Sequence, residues 1–151
     1  MKKMMKKLLV LNGPNLNLLG LREPDIYGRQ TYADLETYIR QVCQELGCGC
    51  QIFQSNHEGE LVDKIQAAHG VFDGIVINAA AYTHTSVAIL DALKAVAIPT
   101  AEVHLSDIHS REEFRRWSYV SLAAETVIAG KGFSGYREAI VFLLNRLERD
   151  S

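Results

Sequence analysis

Apolar positions along the chain switch repeatedly between short unbroken runs and a spacing of three to four. Residues 8–11, Leu-Leu-Val-Leu, form a run of strand length with no polar alternation, which predicts a strand covered on both faces. It stops at Asn12-Gly13-Pro14-Asn15, turn-forming residues that neither extend a strand nor open a regular helix. Thr31 with Asp34 three positions on predicts a capping box. The helix it opens carries Leu35, Ile39, Val42 and Leu46 on one face and stops at Gly47. Residues 48–54 predict a second strand, and Ser55-Asn56 the cap of a second helix bearing Leu61, Ile65 and Ala68. Residues 72–78 predict a third strand, apolar enough at Gly-Ile-Val-Ile to be central. Thr83 or Thr85 is expected to start a helix with Val87, Leu90, Leu93 and Val96 on one face. Residues 99–104 predict a fourth strand, where Pro99 fits only at the first position. A polar segment, 106–118, separates it from a fifth strand at 126–129. A closing helix over 135–149 carries Tyr136, Ile140, Leu143, Leu144 and Leu147 on one face.

Five strands alternating with helices predict an α/β fold with a parallel sheet and right-handed crossovers. For one domain of this size the expectation is a flavodoxin-like three-layer sandwich, a five-stranded parallel sheet in the order 2-1-3-4-5. Ligands bind outside the carboxyl ends of such strands. The loop after the first strand would bring Asn12, Asn15, Arg22 and Tyr27 there. The third strand would bring Asn78, with Tyr82, Thr83, His84, Thr85 and Ser86 after it, and the fourth Glu102, His104 and Ser106. Val103 is expected to face the core, which turns Glu102 and His104 the opposite way.

Composition changes this picture little. The 151 residues suit one domain, and 48% apolar with 23% charged is ordinary for a soluble protein. Residues 1–7 read as a solvated leader, because the apolar run behind them is too short for a signal peptide. A net charge of −2 offers no global field for nucleic acid or membrane, and no window approaches a membrane span. Cys43, Cys48 and Cys50 are odd in number and clustered, which predicts reduced structural thiols and a cytoplasmic protein.

Each polar residue at these strand ends has an ordinary explanation. Asn15 suits a turn, Tyr27 a surface, and His84 a helix's first turn. Arg111 and Arg115, four apart, would share a helical face and pair with Glu112 or Glu113. Taken together at three ends of one sheet, they predict a site for a small polar anion. No nucleophile elbow, dinucleotide fingerprint or phosphate loop is present. His84, Glu102, His104 and His109 match no metal-ligand spacing, so neither metal nor cofactor is expected. Acid–base chemistry remains. A tyrosine with its reference pKa of about 10 is a poor base unless positive charge stabilises the phenolate. Arg22, five residues before Tyr27, is placed to supply it. The chemistry predicted is proton abstraction beside a carbonyl, or an elimination, on an anionic small molecule. The rival is a non-catalytic flavodoxin-like module binding flavin or a small anion. A receiver domain would need acidic residues where this chain has amides after the first strand.

Four stretches, NGPNLNLLGLREPDIYG, FQSNHEGELVDKI, NAAAYTHTSVAILDAL and EVHLSDIHSREEF, resemble type II 3-dehydroquinate dehydratases in content, order and spacing. The resemblance spans Leu8 to about Leu147. It implies the flavodoxin-like fold and reversible dehydration of 3-dehydroquinate to 3-dehydroshikimate in the shikimate pathway. It also implies no cofactor and a homododecamer built from trimers. By the same resemblance Tyr27 is the base and Arg22 its activator, and Asn15 holds a water on the enolate oxygen. His104 is the acid, oriented by Glu102. Asn78, His84 and Arg115 bind hydroxyls and carboxylate, the amides of Leu105 and Ser106 cradle the carboxylate, and Arg111 supports the loop. Asp91 reaches a neighbouring subunit's site. Two positions depart from the family's pattern. Ala80 stands where glycine is frequent, which matters only if that backbone needs a positive φ. Asp107 stands where asparagine is usual and adds negative charge near an anion site.

Overall fold

In the computed structural model of the chain, residues 4–21, 25 and 29–150 are described. They form five parallel strands, β1 (Lys7–Asn12), β2 (Gly49–Gln54), β3 (Gly74–Asn78), β4 (Thr100–His104) and β5 (Thr126–Ala129), in the order β2-β1-β3-β4-β5. The helices are α1 (Tyr32–Leu46), α2 (Glu58–Ala67), α3 (Val87–Val96) and α4 (Ser134–Glu148). Alternation along the strands sorts side chains into two cores. Leu8, Val10, Val76, Ala101 and Val103 pack against Leu35 and Ile39 of α1 and Ile140 and Leu143 of α4. Leu9, Leu11, Ile75 and Ile77 pack against Leu61 and Ile65 of α2 and Ile89 and Leu93 of α3. Burying each such side chain is worth roughly 1.5–3 kcal/mol. Both faces are therefore dry, and the sheet is the middle of three layers. Among the described residues no helix is long and apolar enough to cross a membrane.

Strand and helix boundaries fall within one or two residues of the periodic pattern. Of the expected leader, Met1 to Lys3 lie outside the described residues, and Lys7 already belongs to β1. The capping box on α1 forms: Thr31 Oγ1 accepts from Asp34 N at 3.1 Å, and Asp34 Oδ2 accepts from Thr31 N at 2.9 Å. Gly47 ends α1 at φ 73°, a left-handed conformation that glycine adopts without strain.

Three local expectations need correction. Neither Ser55 nor Asn56 caps α2. His57 holds that position, Ser55 Oγ accepts from His57 N at 2.9 Å and donates to Glu60, and Asn56 turns toward the first loop. The cap of α3 is neither Thr83 nor Thr85 but Ser86, whose Oγ accepts from Ile89 N at 2.9 Å. Residues Ala80–His84 instead wind a tighter 3-10 turn, with Tyr82 N donating to Ala79 O and Thr85 N to Tyr82 O, and the Thr83 hydroxyl is spent on buried polar partners rather than on a cap. The segment 106–118 makes two separate 3-10 turns, Ile108–Ser110 and Glu113–Arg115, with extended backbone at Arg111 between them. Arg111 and Arg115 thus share no helical face, yet the break brings both to one cavity.

Candidate active site

At the carboxyl end of the sheet lies a cavity with about 550 Å³ of unfilled space, part of it open to solvent. Its wall comes from the first loop (Asn15, Leu16), the end of β3 and the turn after it (Asn78, Ala80, His84), and β4 with the following segment (His104, Leu105, Ser106, Arg111, Arg115). Two guanidiniums and two imidazoles converge there. Such a cavity suits an anion with several hydroxyls.

One side of the cavity is backed by a hydrogen-bonded carboxylate–imidazole pair. Glu102 is fully buried and His104 nearly so, and His104 Nε2 bonds Glu102 Oε2. Burial pushes the Glu102 carboxyl up, but hydrogen bonds and charge from His104, with bonds from Ser121 and Ser118, outweigh it and hold it below its ordinary value. Glu102 is therefore ionised at neutral pH, and Nε2 of His104 carries a proton toward it. That leaves Nδ1 as the ring nitrogen available to a ligand. His84 is fixed by a different contact. Its Nδ1 lies 2.7 Å from the Trp117 carbonyl, which can only accept, so Nδ1 is protonated. Burial lowers its pKa, the Trp117 carbonyl opposes this, and the charges of His104 and Arg115 lower it further. His84 is thus neutral at pH 7 and offers Nε2 as an acceptor for a ligand hydroxyl.

The opposite face of the sheet carries a second polar network. Asn12 pairs with Asn78 across the sheet, and both follow the inward-facing side chains of their strands, Val10 and Val76. Tyr136 of α4 is wholly buried, so its hydroxyl needs partners. It donates to Asn12 Oδ1 at 2.6 Å and accepts from Asn78 Nδ2 at 3.1 Å. Asn78 Oδ1 accepts from Ala80 N at 3.1 Å, which fixes the amide's orientation because a backbone N–H can only donate. Burial raises the Tyr136 pKa, so it stays a neutral phenol.

The first loop is held from β2 and the residues after it. Asn15 N donates to Asn56 Oδ1 at 3.0 Å, with Asn15 left-handed at φ 69°. Gln54 Nε2 reaches Gly13 O at 3.1 Å and Asn56 Oδ1 at 3.1 Å. Gly13 N donates to Asn78 O at 2.8 Å, and a Cβ at Gly13 would lie 2.3 Å from the Ala79 carbonyl oxygen. Only glycine allows the loop to leave β1 so close to the end of β3.

The expected residues fall into clear groups. Asn15, Asn78, His84, His104, Leu105, Ser106, Arg111 and Arg115 all reach the cavity, and Glu102 lies behind His104. Asp91 sits exposed on α3 and does not line this cavity. Arg22 and Tyr27 lie outside the described residues. Asn12, expected at the mouth, is instead fully buried, its amide spent on Tyr136 and Tyr32. Ala80 does need a positive φ, at 52°, so the departure from glycine costs roughly 1–2 kcal/mol of backbone strain. Asp107 accepts from His109 N at 3.0 Å as the cap of a surface turn, and does not line the cavity. Sequence reasoning missed Tyr136, Ser118, Ser121, Gln54 and Asn56. The available signal was a tyrosine on the inward face of a helix, since a buried phenol seeks a partner. Among the described residues no group of three or more His, Cys, Asp or Glu is arranged to hold a metal ion.

The family model described as dehydroquinase class II matches residues 6–144. A 3-dehydroquinate dehydratase from Corynebacterium glutamicum (strain R) is 54% identical over 94% of this chain and 98% of its own length. A protein named catabolic 3-dehydroquinase 1 from Aspergillus terreus is 56% identical, over 91% of this chain and 90% of its own. The crystal structure of a type II dehydroquinase from Butyrivibrio crossotus superposes with a TM-score of 0.91 at 47% identity. It covers 93% of this chain and 98% of the other.

Proposed function

The chain belongs to the class II dehydroquinase family, and on that premise we propose that it dehydrates 3-dehydroquinate to 3-dehydroshikimate through an enolate. Supporting this most is the convergence of Asn15, Asn78, His84, His104, Ser106, Arg111 and Arg115 on one cavity. A ring that carries a carboxylate, several hydroxyls and a ketone calls for such a set: cations for the carboxylate, and neutral donors and acceptors for the rest. Tyr27 takes the C2 proton, which is acidic because C3 is a ketone, and the electron pair moves onto the ketone oxygen as an enolate. Asn15, through a bound water, stabilises that oxygen. The enolate then reforms the ketone as the C1–O bond breaks, and His104 protonates the departing hydroxyl, which leaves as water. The ring gains a C1–C2 double bond conjugated to the ketone. Glu102 stabilises the imidazolium that His104 must be before it gives up its proton. The direct test is to mix the protein with 3-dehydroquinate and follow ultraviolet absorbance of the conjugated enone. A flat trace at micromolar enzyme would refute the reading.

Arg22 stabilises the Tyr27 phenolate. Removing a nearby positive charge raises a phenol's pKa, so the base deprotonates only at higher pH. In Arg22→Ala the acidic limb of kcat/KM against pH therefore moves upward. An unmoved limb with only a raised KM would assign Arg22 to binding instead. The acid–base set needs no metal, so exhaustive chelation is expected to leave activity intact. Loss to chelator with recovery on adding zinc or magnesium would overturn that.

The active assembly is a homododecamer built from trimers, in which Asp91 completes a neighbour's site. This fits its exposure on α3, away from its own chain's cavity. Sedimentation during assay is expected to show activity only in trimers or larger. A fully active monomer would remove Asp91 from the site.

A further inference from the structure

Glu102 lies at zero exposure, where a carboxyl ordinarily takes up a proton. Its oxygens nevertheless meet a close set of donors. Oε2 accepts from His104 Nε2 and from Ser118 Oγ at 2.7 Å, and Oε1 accepts from Ser121 Oγ at 2.6 Å. Thr83 Oγ1 stands 3.5 Å from Oε2 and also bonds the Ser118 hydroxyl. Thr83 donating to Ser118, whose own hydrogen goes to the carboxylate, forms a series in which each bond polarises the next. Both serines come from one stretch behind the cavity. That stretch is tied to the Ala80–His84 turn by Tyr119 N to Thr83 O at 2.7 Å and by His84 to the Trp117 carbonyl.

We propose that Ser118 and Ser121 are positioning residues that keep the shared proton of the His104–Glu102 pair on His104. With one proton between them, the pair can be carboxylate and imidazolium, or carboxylic acid and neutral imidazole. Only the first has an acidic N–H at Nδ1 to give away. A dry surrounding favours the second, because it carries no charge. Hydroxyl donors bind the charged carboxylate more strongly than the neutral acid, and so restore the first. Among the described residues, the other charged and titratable groups on this cavity wall are His84 on the turn after β3 and Arg111 and Arg115 on the segment after β4, the two arginines also meeting the Glu112 carboxylate. The two guanidiniums oppose an imidazolium, and neutral His84 adds no compensating negative charge. The hydroxyls on the far side of Glu102 therefore decide where the proton sits. The proposal rests on the reading of His104 as the acid, and its test separates the two.

Nitrogen-15 NMR of His104 in the whole protein reads the proton's position without turnover. At neutral pH the unmutated chain is expected to show both ring nitrogens protonated, and Ser118→Ala/Ser121→Ala to lose the Nε2 proton to Glu102 while Nδ1 keeps its own. The kcat of that double variant should fall about tenfold with KM changed by less than about twofold, the scale of a lost bond to a charged group. Ser121→Thr, which keeps a hydroxyl at a half-exposed position, should restore the Ser121→Ala loss. In a Glu102→Gln background, deleting the serines should change kcat by less than about twofold, because no carboxylate is left to hold. An imidazolium that survives in the double serine variant, or an equal loss in the Glu102→Gln background, overturns the proposal. Hydroxyl-dependent protonation in a protein that does not dehydrate 3-dehydroquinate would uphold it and strike down the acid role.

Discussion

Tyr27→Phe is expected to lower dehydration of 3-dehydroquinate by about 10²–10⁴-fold, the range that a positioned general base contributes. It should also stop exchange of the C2 hydrogen with deuterated water. Phenylalanine keeps the ring and removes only the oxygen, so binding should change little and the loss should fall on kcat. The reason both readouts fail together is chemical. On this reading the C2 proton leaves first, and the two imidazoles among the described residues of the cavity are engaged elsewhere: His84 Nδ1 with the Trp117 carbonyl, and His104 Nε2 with Glu102. Exchange in Tyr27→Phe at the rate of the unmutated enzyme would remove Tyr27 as the base and pass the role to His84 or His104.

His104→Ala should separate what Tyr27→Phe joins. Hydroxide is a poor leaving group, so without an acid the second step stalls, and turnover is expected to fall by a similar factor of about 10²–10⁴. The first step survives, and C2 exchange continues. The cavity also changes character. Glu102 loses the strongest of the influences that hold its pKa down, leaving Ser118 and Ser121 against burial, so its pKa rises. The sign for stability follows. A depressed carboxyl contributes stability above its unfolded pKa and loses it as pH falls through the folded value. In His104→Ala that contribution shrinks, and acid unfolding begins at higher pH. Turnover near that of the unmutated chain would end the case for His104 as the acid.

Much of this arrangement was legible in the residues, for identifiable reasons. Unbroken apolar runs at 8–11 and 75–77 require cover on both faces, which points to a parallel sheet between helices. The polar residues that end those runs must then sit at the sheet's carboxyl edge. Asn15 and His84 were expected at the cavity because each follows a strand closely, and His104 because it ends one. Asn12 was misplaced because the turn signal around it outweighed the alternation Leu8, Val10, Asn12, which directs it inward. Ser118 and Ser121 lie in a stretch without period, where only tertiary contact says what a hydroxyl meets. The arginine pair was expected on a helix face, since spacing by four cannot reveal an extended residue between two short turns. Ala80 shows a limit of a different kind: alanine gives no local hint that its backbone is left-handed.

Tyr136 bonds Asn12 from 124 positions away, and Asn78 from 58. As the ribosome delivers the chain, β1 and β3 emerge well before the helix that carries this phenol. Until α4 docks, Asn78 Nδ2 and Asn12 Oδ1 have no partner at that spot, and the cavity wall they support is unfinished. Contacts so distant in sequence close late and slowly. Maturation of the site is thus tied to completion of the whole domain, so a nascent or foreshortened chain that lacks α4 has the strands of the site without its order.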